Sequence, residues 1–158
     1  MSRSYRRIAD DSFLDHCGEN VRRAYEYWNT KRGDRSMPSR ADIDPSEIRD
    51  LLPGIILVDV AHDPTRLTYR LVGTDEVEAR GSDPTGGDVR EHVFAVTAEE
   101  GYQTYMMAIE LRRPVFDEEP VLSPNPRLSE VGSLVMPLSA DGREVNMLMA
   151  YIDYRRNR

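Results

Sequence analysis

The feature that most constrains this chain is the order of its patterned segments: strand-like pairs at both ends of the body, with helical pattern between them. Ile55 to Ala61 (IILVDVA) is rich in β-branched residues, Leu67 to Val72 alternates, and His62-Asp63-Pro64-Thr65 between them reads as a turn. Together they predict an antiparallel hairpin. Later in the chain, Val115 to Leu122, Ser133 to Ser139 and Val145 to Tyr154 read as three further strands. Asp141-Gly142 is a strong hairpin signal between the last two. Between the strand sets, Thr74 is expected to cap a short helix through about Arg80, stopped by Gly81. Thr97 and Glu100 form a capping box for a longer helix to Arg112, stopped by Pro114. Helices grouped between two antiparallel sets predict an α+β fold, not alternating βαβ units.

Ahead of the body, Ser12 to Lys31 reads as a helix ended by Gly33. Leu14, Cys17, Val21, Ala24 and Trp28 form a narrow apolar stripe on it, widened by Tyr25. Such a stripe needs a partner surface. The spacing leaves two choices open: packing on its own domain, or an interface with the same helix of a second copy through Leu14, Cys17, Val21, Tyr25 and Trp28. A polar connector, Asp34 to Asp44, leads to a short helix at Pro45 to Leu52 with Asp44 as its cap. The expected organisation is a helical extension over residues 1–35 and one sheet-based domain over 36–158.

The chain has 158 residues, which suits one domain overall with a core that needs no disulfides. Its net charge of −7 argues against global attraction to nucleic acid. The arginines near the two ends (Arg3, Arg6 and Arg7; Arg155, Arg156 and Arg158) read as solvated termini. No apolar run approaches membrane-helix length and the start lacks a secretory pattern, so a cytoplasmic location without membrane contact is the expectation. A single cysteine, Cys17, excludes an internal disulfide and a cysteine-based zinc site.

Catalytic signatures are missing from the sequence. The Gly81 to Gly87 loop (GSDPTGG) lacks the Gly-Lys-Ser/Thr of a phosphate loop, and Asp83 would repel phosphate. Neither HExxH nor GxSxG occurs. Asp117-Glu118-Glu119 reads as a solvated strand edge. No nucleophile and base can be assembled, so an enzyme is not expected.

A longer string carries a resemblance. Trp28 is followed by Met37-Pro38-Ser39-Arg40-Ala41-Asp42-Ile43-Asp44-Pro45, then Glu47-Ile48, Leu51-Leu52-Pro53, a strand, and Tyr69-Arg70-Leu71-Val72-Gly73-Thr74. Gly81, Asp83, Thr85 and Gly86 continue it as a G-x-D-x-T-G loop. This resembles a bacterial branch of the PAS superfamily made of short stand-alone alphaproteobacterial proteins, over about Trp28 to Tyr154. The resemblance implies a five-stranded antiparallel sheet in the order 2-1-5-4-3, helices on one face, and a cavity between them. It also implies signalling through dimer contacts or to a separate output protein. In the wider superfamily the cavity takes haem, flavin, a metabolite or nothing. His92, just before the long helix, is the one histidine placed as a haem ligand would be, and it reads more simply as a surface or capping residue. Cys17 reads as core packing, not as a flavin-reactive thiol. The cofactor is therefore unknown.

Alternation and helical facing select Tyr69, Leu71, Tyr102, Tyr105, Met106, Ile109, Val135, Met147, Met149 and Tyr151 as candidate cavity liners. Methionine suits a deformable cavity and equally a plain core. Arg70 either pairs with Asp59 across the hairpin or holds an anionic ligand. Two functions follow: a non-catalytic sensory module binding a small organic ligand, or a ligand-free module for protein interaction or homodimerisation.

Overall fold

The structure, a computed structural model, describes residues 7–92, 98–118, 121–122, 125 and 127–156, with 98–100 and 121–122 described by backbone alone. The expected Thr97–Glu100 capping box, Glu119, and the arginines at 3, 6 and 158 lie outside these residues. In chain order the elements are β1 (Arg7–Ile8), α1 (Glu19–Arg32), β2 (Ile55–Ala61), β3 (Arg66–Val72), α2 (Thr74–Arg80), α3 (Ala98–Leu111), β4 (Val115–Asp117), β5 (Val121–Leu122), β6 (Leu128–Leu138) and β7 (Met147–Arg156). Short 3-10 turns occupy Asp11–Asp15, Arg40–Asp42, Pro45–Ile48 and Leu52–Gly54.

The two hairpins, β2–β3 and β6–β7, join through antiparallel pairing of β2 with β7, from Ile55↔Tyr151 to Asp59↔Met147. The result is one mixed α+β unit around a single antiparallel sheet. Its path is β1-β4-β6-β7-β2-β3, with β5 paired to β6 off that path. The five expected strands run β3-β2-β7-β6-β4, which is the order 2-1-5-4-3, and the exact count and order differ from the expectation by two added short strands. The two-residue strand β1 adds itself outside β4, and β5 extends the β6 edge. The β3 edge is covered by the glycine loop: Gly86 N–H donates to Tyr69 O, Tyr69 N–H to Gly87 O, and Val89 N–H to Leu67 O, at 2.7–3.0 Å. That cover protects an edge that would otherwise template foreign pairing.

The two helices between the strand sets, α2 and α3, share one face (here the inner), as expected, and the N-terminal α1 lies on the other (the outer). The expected helix from Ser12 to Lys31 is broken. Residues 11–15 form a 3-10 turn capped by Asp10, and α1 starts at Glu19 with Gly18 as its N-cap. A Cβ on Gly18 would lie 2.8 Å from Asp153 Oδ2, so close approach to β7 sets the break. Val21, Ala24 and Trp28 are buried, and Leu14, Cys17 and Tyr25 pack half-buried against the same core. The stripe that offered an interface is thus packed on its own sheet. Phe13 stacks on Phe116 at 5.4 Å and meets Tyr25 edge-on at 5.3 Å. The Trp28 indole donates to Pro137 O at 2.8 Å. Proline is tolerated inside β6 because β4 pairs only as far as Val135, leaving no ladder bond for Pro137 to make on that side.

Candidate functional site

The chain enters α2 through Gly73, whose N–H donates to Ile55 O at 2.7 Å. A Cβ there would lie 2.4–2.5 Å from the Pro53 and Leu52 carbonyl oxygens, so only glycine permits the approach. This seats α2 over the inner face. Glu76 and Arg80, four residues apart on one helical face, then point at the sheet. Arg80 Nε donates to Glu76 Oε1 at 2.8 Å, with the two side chains 9% and 4% exposed. Arg80 Nη2 donates to the Tyr69 hydroxyl on β3 at 2.8 Å, and Nη1 donates to His92 O. The Tyr154 hydroxyl on β7 donates to Glu76 Oε2 at 2.5 Å. A buried ion pair is thereby tied to two strands by tyrosine hydroxyls, which satisfies charges that burial alone would penalise. Burial works against the Arg80 charge, but Glu76 and Tyr69 outweigh it and its pKa is raised. Burial, reinforced by the Glu76 and Glu130 carboxylates, pushes the Tyr154 phenol far up.

Two more groups face this network. Tyr105 of α3 is buried beside the Tyr69 hydroxyl, and burial raises its phenol strongly. Glu130 lies opposite Tyr154 in the β6–β7 register. Among the described residues it has neither a hydrogen-bond nor an ion-pair partner. Burial first, then the Glu76 and Asp117 carboxylates, hold its pKa well above the usual range. A carboxyl in this position is able to hydrogen-bond to a guest.

The sequence-predicted liners do not form one group. Tyr69, Val135 and Tyr105 meet on the inner side, where Val58↔Tyr69, Ile56↔Ala150 and Ala150↔Val135 run across the sheet. Leu71, Met147, Met149 and Tyr151 lie on the outer face instead. Leu71 and Met149 both pair with Leu57. Tyr151 meets Asn20 and Arg23 of α1, and burial, with the Asp153 charge behind it, pushes its phenol up to about 12. The reason for Leu71 is a bulge: Leu57 opposes Leu71 but Val58 opposes Tyr69, so Arg70 is the extra residue and the alternation flips. The reason for β7 is that Met147 to Asp153 are all buried, so period two cannot tell one face from the other.

On α3 the buried positions are Thr104, Tyr105 and Ala108; Met106 and Ile109 are half-buried. Tyr102 is half-buried with the Arg90 guanidinium 4.6 Å from its ring centre. Arg70 is exposed and lies 3.8 Å from Asp59, a loose surface pair. The His92 side chain is exposed and packs over Gly87. Burial raises the Cys17 thiol, which disfavours the reactive thiolate.

Four residues of the network escaped the sequence reading: Glu76, Arg80, Tyr154 and Glu130. The i,i+4 pair in α2 reads as ordinary surface charge until the helix is placed. Glu130 lay outside the expected strand because β6 starts at Leu128, not Ser133.

Among the described residues no group of three His, Cys, Asp or Glu could hold a metal ion, and no helix is long and apolar enough to cross a membrane. Comparison with curated proteins and with solved structures found no match. A family model described as "PAS domain" matches residues 18–148, from the cap of α1 into β7. With most of its length matched, and with one antiparallel sheet carrying α2 and α3 over its inner face, the chain belongs to the PAS domain family, whose members serve in general as sensory or regulatory modules.

Proposed function

We propose that this chain is a non-catalytic sensory module that takes a small polar organic molecule between the inner face of its sheet and α2–α3. The signal then passes by contact to a second copy or to an output protein. One observation carries the reading: Glu130, without a partner among the described residues, sits beside a fully engaged Tyr69–Arg80–Glu76–Tyr154 network. Glu130 is half-buried, and a carboxyl held there without a partner among the described residues is open to a guest that hydrogen-bonds to it. Because the network ties α2 to β3 and β7, a guest that engages Glu130 or Tyr105 alters how α2 is held. The ligand-free self-association reading relied on the Leu14 to Trp28 stripe, which is packed on this chain's own sheet and leaves that reading without its surface.

Native mass spectrometry of the full chain as purified tests the proposal. The expected result is a mass excess of one small molecule, lost on denaturation and absent from Glu130→Gln and Tyr105→Phe. A bare polypeptide mass, with no metabolite raising the melting temperature, would contradict it.

A further inference from the structure

A cleft lies on the opposite face of the sheet from the polar network, where the 3-10 turns approach β2 and β3 beyond the cover of α1. It has a volume of about 420 Å³, within the usual range for small-molecule sites. Its walls are almost wholly apolar. Ile43, Ile48 and Leu52 come from the turns; Leu57, Leu71 and Met149 form one row across β2, β3 and β7. Leu71 is 44% exposed, a large apolar side chain left open to water inside a concave, half-enclosed space.

Two guanidiniums, Arg40 and Arg49, stand in the lining. Arg40 Nη1 donates to Ile43 O at 2.9 Å, which fixes the head at the cleft and leaves its other donors. The acids of the same segment are engaged elsewhere: Asp42 with Arg35 at 2.9 Å, Glu47 with Lys31 at 2.9 Å, and Asp50 with Arg23. Asp44 accepts from Ser46 and feels the Arg49 charge without an ion pair to it. Neither Arg40 nor Arg49 has a carboxylate partner among the described residues. An apolar body with a positively charged flank selects an apolar guest with a negative head.

We propose that this cleft binds a free, single-chain monocarboxylic amphiphile, its hydrocarbon against Leu57, Leu71 and Met149 and its carboxylate at Arg40 and Arg49. At roughly 30 Å³ per water-sized group, the space holds on the order of a dozen non-hydrogen atoms, which fits a medium chain and not a two-tailed lipid. A second copy of the chain is a poor occupant, because a stable protein interface needs about 800 Å² from each partner and this surface is a narrow recess.

Calorimetric titration of the full chain with decanoate, below its micelle concentration, tests the site. The proposal expects one saturable site, weakened by about tenfold or more in Leu71→Asp through lost apolar contact and in Arg49→Glu through charge reversal. Decyltrimethylammonium, with the same tail and the opposite head, should bind more weakly by a similar factor. Glu130→Gln, on the other face, should leave the affinity unchanged, which separates this site from the proposed sensory one. Absence of saturable heat, equal affinity for the two head groups, or indifference to both Leu71→Asp and Arg49→Glu would overturn it. So would dimerisation abolished by Leu71→Asp, or binding to anionic two-tailed lipid vesicles in place of decanoate.

Discussion

On the outer face of the sheet, Phe13, Tyr25, Trp28 and Phe116 pack ring against ring, and Trp28 adds one hydrogen bond to a carbonyl that no strand claims. On the inner face, α2 is held by a buried ion pair braced by two tyrosines, beside a carboxyl that has no partner among the described residues. Apolar contact is non-directional and tolerant, so α1 is held on the sheet mainly by apolar cover, with exposed polar ties such as Arg23–Asp50 and Lys31–Glu47 along its flank. A buried polar network is directional: each member depends on the geometry of the next, and any molecule that offers a better partner perturbs the whole. A sheet that packs one helix mainly by apolar bulk and another by polar geometry gives the proposed response one natural place, the inner face.

That contrast can be broken by substitution. The largest effect is expected for Trp28→Ala, which empties a buried site and strands the Pro137 carbonyl; equilibrium urea unfolding should show a loss of about 3–5 kcal/mol. Next is Glu76→Leu, which leaves Arg80 buried without its carboxylate and should cost about 3 kcal/mol, most of it recovered in Glu76→Leu/Arg80→Met. Failure of the second change to recover stability would mean that Tyr69 and the His92 carbonyl, not Glu76, are the main support of Arg80. Tyr154→Phe removes one hydrogen bond to a charged group and should cost about 2 kcal/mol in the same assay.

Last, and distinctive in form, is Glu130→Gln, whose effect depends on pH. Because its folded pKa is raised above the ordinary 4.5, the folded state holds a proton that the unfolded state releases. Stability from this group is full below about 4.5 and falls as pH rises toward its folded pKa. Unfolding curves collected from acid to neutral pH should show the wild type losing stability relative to Glu130→Gln; parallel curves would contradict a raised Glu130 pKa.

Much of the scaffold could be read from local pattern. The turn His62 to Thr65, the strand Ile55 to Ala61, the cap at Asp44 and the helix Thr74 to Arg80 all stand where residue chemistry places them. What escaped depended on contacts between distant segments. α1 begins only after Gly18 because Asp153, 135 positions along the chain, is close to it. The flip of Leu71 depends on a bulge that forms only when β3 is paired with β2. The two faces of β7 are equally apolar, so Met149 and Tyr151 could be assigned only once α1 was seen against them. Glu76 and Arg80 carry the spacing of a surface pair, and their burial follows from the depth at which Gly73 sets α2.

The most direct test of the responsive inner face is a melting-temperature screen of polar metabolites against three forms of the full chain: wild type, Leu71→Asp, and Glu130→Gln/Tyr105→Phe. The account predicts at least one compound that raises the melting temperature of the wild type and of Leu71→Asp but not of the double variant. Compounds that stabilise all three alike, or none that stabilise the wild type, would contradict it.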